Sequence, residues 1–441
     1  MRRHRVSSLV WVGLLLGPTP LWGTTRHVPS EHPSIQAALD SSAVGDTVLV
    51  APGTYSDVEV RDLGTPSPWT ACVFMPDGVV LQSEAGADVT LIEMTEAPGP
   101  QASVVVALNL SSLSTAIEGF TITTPLPTRG VDLLGRITFQ DCIIRDTNAG
   151  QSSGGGVNAN GYVTLIRCAF VNCRAFIGGA IYHANGRIEM YDCTVRDCGS
   201  VAAFLAGSSG SESSYLERCT FEDNWATTGA GALGVSNFGG TTIRECRFTR
   251  NEGGGTQGAV ALGGFGPKLV HDCLFFENRA SGPNGRGGAL RLGGPGTVVG
   301  NTFYGNTQVS NAGGGAVSFD NAIGGALALV NNIVAASGGV GGAIYANNIA
   351  LASSCNVFWQ NAGGTGLHYT PGPTDRVVDP FFCDAGAADF RLMVGSPCLP
   401  EGSLGCGLIG AFGEGCGIIS IEPTTWGQIK AAYRGEEGVE Q

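Results

Sequence analysis

The chain has 441 residues, of which 69 are glycine and 14 are cysteine, and charged residues make up 14% of it. Its formal net charge is −13 and lysine is nearly absent, so no basic stripe is available to bind the phosphates of nucleic acids or of an anionic membrane surface. A composition rich in glycine and poor in charge is typical of a long all-β protein outside the cytoplasm.

Residues 1–23 have the pattern of a secretory signal peptide. Three arginines among the first five residues precede an apolar run at 6–16, and two prolines precede Gly23. The run is too short to span a bilayer, and we expect the segment to be removed on export. The mature chain is then predicted to have no transmembrane segment. We expect it to be secreted, and either extracellular or associated with a bacterial cell surface or outer membrane.

Residues 24–60 are predicted to form an N-terminal cap and the first coil of a solenoid. Ile35, Ala38 and Leu39 have the spacing of a short amphipathic helix, which can cover the open apolar end of such a fold. The sequences SIQAAL at 34–39, GDTV at 45–48 and PGTY at 52–55 resemble the opening of right-handed parallel β-helix proteins of the pectin-lyase-like class. The resemblance implies an all-β fold, the right-handed single-stranded parallel β-helix.

Residues 61–378 are assigned to the coils of this helix. In their first part, 61–136, prolines separate short apolar runs, which predicts early coils with long loops. Loops on one flank of a solenoid are a usual place for a binding groove.

One phrase, apolar-x-x-Cys-x-apolar, recurs between residues 137 and 361. Successive cysteines are 26, 25, 26, 27 and 27 residues apart, a period typical of single solenoid coils. Because parallel coils stack about 4.8 Å apart, residues one period apart should form ladders. The predicted ladder of buried thiols contains Cys142, Cys168, Cys193, Cys219, Cys246 and Cys273. The predicted ladder of inward amides contains Asn224, Asn251, Asn278 and Asn306, with ordinary loop asparagines as the alternative.

A second phrase, Gly-Gly-Ala-apolar, alternates with the first, as at 178–181, 287–290 and 341–344. Together with the phrase Phe-x-x-Asn, as at 221–224, it resembles the repeats of the polymorphic outer membrane protein family. The resemblance implies a surface-exposed β-helical passenger, often adhesive. The residues after 379 show no run of alternating strands for the membrane barrel that carries such passengers, so attachment by that route is not expected.

The residue before each cysteine forms a charged column, whose sign alternates for five coils from Asp141 before two acids, Glu245 and Asp272, follow each other. We interpret these residues as exposed ion pairs between neighbouring coils. Such pairs contribute about 0.2 to 1 kcal/mol each, so the column is predicted to be scaffold and not an active site.

Residues 379–417 are predicted to form a closing coil and a cysteine-rich cap, followed by a tail at 418–441 in which a short helix can form at 424–434. The cap contains four cysteines, which indicate two disulfides in an oxidising compartment: Cys383, Cys398, Cys406 and Cys416. The simplest pairing is Cys383 with Cys398 and Cys406 with Cys416, although three pairings are open and a zinc site is the alternative. A further bridge is predicted between Cys173 and Cys198, at a bend of adjacent coils.

Outward positions of the glycine strands place Tyr182, Arg291 and Tyr345 on one face, and Phe276 lies beside Tyr304 on another. Aromatic side chains on a flat parallel sheet can hold an extended glycan, although single exposed aromatics are also normal. We therefore predict a structural or binding protein, adhesin-like or glycan-contacting. The expected partner is an extracellular polysaccharide or a host or cell surface, and no cofactor or metal ligand is predicted.

The alternative function is a polysaccharide lyase or glycoside hydrolase. Such chemistry needs clustered carboxylates that hold Ca²⁺ beside an Arg or Lys base, or a carboxylate pair about 5 to 9.5 Å apart. Glu245 and Asp272 fall on adjacent coils but belong to the charged column, and His183 and His271 are isolated. No catalytic residue is predicted.

Overall fold

The computed structural model describes residues 23–417, with gaps at 98, 100, 201–202, 206–211, 237, 256, 310–312, 321–324, 340 and 347–348. Apart from Gly23, the predicted signal peptide lies outside the described residues, as does the tail at 418–441 with its predicted helix. The chain forms an all-β parallel solenoid of about 11 turns, which confirms the predicted fold class. A complete turn visits four sheets, which we number 1 to 4 in the order of the chain.

Sheets 1 and 2 run the whole length of the solenoid and meet at a sharp corner. Sheet 1 contains the strands Thr25–Val28, Thr47–Val50, Val80–Ser83, Ala116–Glu118, Ser214–Glu217, Thr241–Arg244, Lys268–His271, Gly296–Val299, Leu327–Val330 and Leu351–Ser354. Sheet 2 contains Gly53–Tyr55, Thr90–Glu93, Thr121–Thr123, Ile143–Arg145, Ala169–Val171, Thr194–Arg196, Thr220–Glu222, Arg247–Thr249, Leu274–Phe276, Thr302–Tyr304, Ile333–Ala335, Val357–Trp359 and Arg376–Val377.

Sheets 3 and 4 complete the turn. Sheet 3 is short and contains Trp225–Ala226, Glu252–Gly253, Arg279–Ala280 and Thr307–Gln308. Sheet 4 contains Val73–Phe74, Gln101–Leu110, Ala203–Leu205, Leu233–Ser236, Val260–Gly263, Leu290–Leu292, Val317–Phe319, Ile344–Ala346 and Gly366–Leu367. Three long strands continue from sheet 4 into sheet 1: Arg129–Gln140, Val157–Ile166 and Ile181–Tyr191. A pair at the edge, Glu59–Arg61 and Trp69–Ala71, is antiparallel.

Two corners of a turn, those on either side of sheet 2, are each made by a single residue in the left-handed backbone region. Between sheets 1 and 2 these residues are the charged column itself, with φ of 52 to 57° from Asp141 to Asp272. A second set, from Asp146 to Glu277, turns the chain out of sheet 2 with φ of 51 to 56°. One residue in this conformation bends the backbone sharply, so no longer loop is needed at the corner. Its side chain then points into solvent.

The interior is a set of ladders of like side chains. Phe221, Phe248, Phe275 and Phe303 stack with ring centroids 4.7 to 5.0 Å apart and planes within 10° of parallel. The six cysteines of the predicted thiol ladder are buried and unpaired. In the amide ladder the side-chain nitrogen of each asparagine donates to the side-chain oxygen of the next, from Asn224 to Asn306, at 2.9 to 3.0 Å.

Ion pairs along the charged column join neighbouring turns. The Arg167 guanidinium lies 2.6 Å from the Asp141 carboxylate, and Arg218 lies 2.7 Å from Asp192. Both pairs are about half exposed, so they help to select neighbours more than they stabilise the fold. Their predicted role as surface scaffold agrees with this geometry.

Both ends of the stack are covered. The helix Ile35–Asp40 begins at Ser34, whose hydroxyl accepts the Ala37 amide, and it buries Ile35 and Leu39 at the first turn. At the other end the Tyr369 ring lies 5.7 Å from the Phe358 ring. Asp375 accepts the backbone amide of Asn356 at 2.8 Å and its side-chain amide at 2.9 Å.

Residues 379–417 fold back along the outside of sheet 2 and do not add a further coil. They contain the strands Phe382–Asp384, Asp389–Met393 and Glu414–Cys416 and the 3₁₀ helix Ala385–Ala387. Their apolar side chains pack on sheet 2, since Cys398, Leu392 and Ile409 form a buried cluster with Ile333 and Val357. A closing coil would have left this apolar outer surface uncovered.

The predicted pairing of the cap cysteines is wrong. The disulfides are Cys355 to Cys406 and Cys383 to Cys416, so a zinc site on the four cap cysteines is also ruled out. Cys355 ends a strand of sheet 1, and the fold-back brings Cys406 to it. Cys398 is buried as a free thiol, and its burial raises its pKa to about 12.

The predicted bridge between Cys173 and Cys198 is wrong as well. Both are buried free thiols. Each donates its S–H to a carbonyl of the preceding turn, Cys173 to Ile144 at 3.5 Å and Cys198 to Phe170 at 3.8 Å. Stacking in register directs the two side chains the same way, so the corner does not bring the sulfurs into bridging geometry.

Candidate functional site

A groove of about 530 Å³ lies on the flank of the early turns, beside the long loops of the first coils. We call it the flank groove. Strand pairing between successive turns brings its wall residues together, since Trp69 pairs with Gln101 and Arg129 pairs with Ser103. Its walls consist of Trp69, Ala97, Gly99, Gln101, Ala102, Leu126, Pro127, Thr128, Arg129, Ala149 and Ser152.

Arg129 is held rigidly in the groove wall by a buried carboxylate. Its Nη1 lies 3.0 Å from Asp132 Oδ2, and its Nε donates to the Ser153 carbonyl at 2.9 Å. Asp132 also accepts from the Asn158 amide at 2.7 Å and from the Ser103 hydroxyl. The pair is close to neutral, so the groove offers fixed hydrogen-bonding groups and no strong net charge.

Three polar atoms at the groove have no hydrogen-bond partner among the described residues: Trp69 Nε1, Thr70 Oγ1 and Gln101 Oε1. Trp69 and Gln101 line the groove, and a side chain on Gly99, another wall residue, would come within 2.9 Å of Thr70 Oγ1. A buried polar group without a partner costs about 1 to 3 kcal/mol, and such groups in a folded protein call for an explanation. Here they include one donor, one acceptor and one hydroxyl on two paired strands.

The residues predicted to bind on the glycine strands lie on the outer face of sheet 4. Arg291 is paired with Asp320 at 2.7 Å. Tyr345 is only 7% exposed, because Arg286 lies 5.6 Å from its ring and His368 packs edge-on at 6.0 Å. Tyr182 is half-buried and lies six strands before Tyr345 in sheet 4. The structure does not bring these three side chains to one groove, and their role in binding stays a prediction.

Phe276 and Tyr304 lie side by side on sheet 2, with ring centroids 6.2 Å apart. The fold-back covers them, since the Phe390 ring lies 5.2 Å from Phe276 and 5.0 Å from Tyr304. Phe382 adds an edge-on contact to Tyr304 at 6.0 Å. These rings form a packing interface inside the chain, which leaves little of their surface for a ligand.

Groups suited to proton transfer are engaged in structural contacts. His183 is buried, its Nε2 lies 2.9 Å from the Gly161 carbonyl oxygen, and burial lowers its pKa. His271 lies 3.0 Å from Asp272 of its own corner. Within the described ranges no three His, Cys, Asp or Glu side chains come together in a way that could hold a metal ion.

Comparison with protein-family models agrees with the architecture. A family model described as "Right handed beta helix region" matches residues 128–258. The chain is a right-handed parallel β-helix. The crystal structure of pectate lyase Pel9A is similar to this β-helix at 13% sequence identity and a TM-score of 0.44, covering 86% of this chain and 90% of that chain. A search of the curated proteins finds no match.

The resemblance to polymorphic outer membrane proteins stays a prediction, because the family comparison matches the general β-helix only. In the described part of the chain, no helix has the length and apolarity needed to cross a bilayer.

Sequence reasoning placed a groove on the loops of the early coils, but it named none of the residues that line it. Trp69 and Gln101 are 32 positions apart and meet only through the parallel register. The sequence signal for this groove is Trp69, which lies in a segment with prolines on both sides. The unpartnered atoms depend on side-chain packing, which no pattern in the sequence reports.

Proposed function

We propose that this β-helix is a secreted or cell-surface protein that binds a carbohydrate in the flank groove and does not cleave it. The observation that carries the proposal is the pair of buried, unpartnered polar atoms, the Trp69 N–H donor and the Gln101 acceptor, in residues that line the groove together with Arg129. A sugar hydroxyl both donates and accepts, so one ligand of this class satisfies groups of both kinds. The walls combine apolar side chains with a few placed polar groups, a mixture that is typical of ligand sites.

The engagement of the Asp132 carboxylate supports binding without catalysis. Asp132 is buried and is hydrogen bonded to Arg129, Asn158 and Ser103. A glycosidase needs two carboxyl groups that face the scissile bond, and among the described residues no carboxylate lines this groove.

The proposed location rests on the cysteine chemistry and on the pattern of residues 1–23. Disulfides such as Cys355 to Cys406 and Cys383 to Cys416 form and persist in oxidising compartments. An adhesin-like role at an extracellular or bacterial surface is consistent with an elongated scaffold of this kind.

The proposal is tested by calorimetry with soluble xylan, mannan, dextran, alginate and polygalacturonate. The decisive variant is Gln101→Met, which keeps the side-chain volume and removes the unpartnered Oε1. We expect it to weaken the affinity for the polysaccharide that binds about 10-fold, or about 1.4 kcal/mol, and to leave the unfolding midpoint unchanged or slightly higher.

The matched control is Tyr162→Ala, which removes a partly exposed ring from sheet 1, away from the groove, and should not change affinity. Binding that is identical in wild type and Gln101→Met, or no binding to any of the five polymers, contradicts the proposal. Formation of unsaturated products or new reducing ends would establish the lyase or hydrolase alternative instead.

A further inference from the structure

Trp225 is an exposed indole on the same flank as the groove. It is the first residue of sheet 3 and is 42% exposed. Single backbone bridges continue its row toward the groove, from Trp225 to Gly199, Arg174 and Asn148. The row therefore joins Trp225 to the wall of the flank groove, where Ala149 donates its amide to the Arg174 carbonyl at 2.9 Å.

Neighbouring residues of this row hold the Trp225 indole in position. A Cβ at Gly199 would lie 2.5 Å from Trp225 Cζ2 and 2.7 Å from Arg174 Cδ, so both side chains lean over this glycine from opposite sides. The Arg174 guanidinium lies over the indole ring, 5.5 Å from its centroid, and donates to the Asp197 carbonyl. The ring is thus backed by a fixed cation and held in place, while its remaining surface faces solvent.

A second exposed ring lies between the groove and Trp225. Phe176 is 62% exposed, and its amide donates to the carbonyl of Ser152, a residue of the groove wall, at 3.0 Å. Its own carbonyl accepts the Ser200 hydroxyl of the next turn. Aromatic surface therefore continues along the flank from the groove toward Trp225.

We propose that Trp225 is a second sugar-binding position, and that the ligand is an extended polysaccharide lying along this flank parallel to the helix axis. The inference rests on the proposed function and specifies its ligand class. From Asn148 to Trp225 there are three strand spacings, about 14 Å at about 4.8 Å each, so a ligand must contain several sugar units to reach both positions. A flat apolar ring face suits the C–H face of a pyranose, and the fixed geometry lowers the entropy cost of binding.

A purely structural role for Trp225 predicts a different result. If the indole only covers Gly199, its removal changes stability and leaves ligand affinity as it was. If it binds sugar, its removal affects long ligands and leaves short ones unchanged, because a disaccharide in the groove does not reach it.

The test uses oligosaccharides of two to eight units of the sugar that binds in the polymer panel, measured by calorimetry on the full chain. In wild type we expect affinity to rise with length until the chain spans both positions. Trp225→Ala should lower affinity for the longest chains about 10-fold and leave the disaccharide unchanged. Gly199→Ala, which keeps the indole but pushes it out of place, should weaken the long chains in the same direction.

The matched control is again Tyr162→Ala. Tyr162 is 37% exposed and has the Arg136 guanidinium 4.3 Å from its ring, so it reproduces an arginine-backed aromatic on another face. Unchanged affinity of Trp225→Ala for every length, with weakened binding by Gln101→Met, overturns this inference and leaves the proposed function standing. If wild type binds none of the polymers, both proposals fail.

Discussion

The side-chain amide of Asn251 donates to the side-chain oxygen of Asn278 at 3.0 Å, and both residues are completely buried. The same oxygen of Asn278 also accepts the backbone amide of Asn251 at 3.0 Å. One side chain thus satisfies the corner of the neighbouring turn twice, and the pattern repeats from Asn224 to Asn306. The ladder supplies the hydrogen bonds that water would otherwise make with the backbone at each corner.

Replacing one rung of this ladder should be costly. Asn251→Leu leaves the backbone and side-chain amides of Asn224 without their acceptor and the Phe221 carbonyl without its donor. We expect a loss of about 3 to 5 kcal/mol in the free energy of unfolding, measured by urea denaturation. The control Asn148→Ala removes one hydrogen bond of an exposed turn and should cost less than about 1 kcal/mol. Equal losses in the two variants would contradict the ladder's role.

The glycine phrase should be intolerant of a methyl group for reasons of space. A Cβ at Gly258 would lie 1.6 Å from the Gly288 carbonyl oxygen of the next turn. Gly258→Ala is expected to cost about 3 kcal/mol or more in the free energy of unfolding, because backbone would have to move. Gly413→Ala meets nothing within 4 Å and should change stability by less than about 0.5 kcal/mol. Normal stability of Gly258→Ala would show that the turns stack less closely.

The cysteines should divide into two chemical classes. Mass mapping of the oxidised protein is expected to recover Cys355 with Cys406 and Cys383 with Cys416, and to find the other ten cysteines as thiols. Because all ten are buried, a thiol reagent should modify them only after denaturation. A digest of the reduced protein is the control. A peptide that joins Cys383 to Cys398 would disprove the fold-back.

Stability should depend on pH through Lys268. Its Nζ donates to the carbonyls of Gly264 and Gly266, and the side chain is buried without a carboxylate partner among the described residues. Burial lowers its pKa from 10.5 to about 8. Between these values the unfolded chain binds more protons than the folded one, so the free energy of unfolding should rise with pH from about 8 to about 10.5.

Urea denaturation across that pH range measures this rise in the wild type. Lys268→Met removes the titrating group and should flatten the rise, while other groups contribute equally to both proteins. Identical slopes in wild type and variant would show that Lys268 keeps an ordinary pKa.

The ladders could be predicted from the sequence because the same phrase recurs in successive turns at a nearly constant spacing. Cys219 and Phe221 recur at a constant spacing, so their stacking follows from the period alone. The left-handed corners were not foreseen, because Asp, Arg and Glu occupy them and none of these residues marks such a backbone as glycine does. The parallel register forces the conformation there, and the side chain adapts to it.

Structural features that occur only once could not be predicted from the repeat. Phe382 and Phe390 have the alternating pattern of another coil, and only packing shows that they cover Phe276 and Tyr304 from outside. Cys355 lies 28 residues before Cys383, the first cysteine of the cap, so it was not a candidate partner for Cys406. Trp225 follows a ladder asparagine directly, and its exposure depends on Gly199 one turn earlier.

Most strands of consecutive turns pair without offset, as Thr241 does with Lys268 and Phe248 with Phe275. Duplication of one such unit in the gene would lengthen the molecule by one step and extend every internal column together, with no junction to repair. Evolution can therefore alter the separation of two surface positions only in increments of one strand spacing.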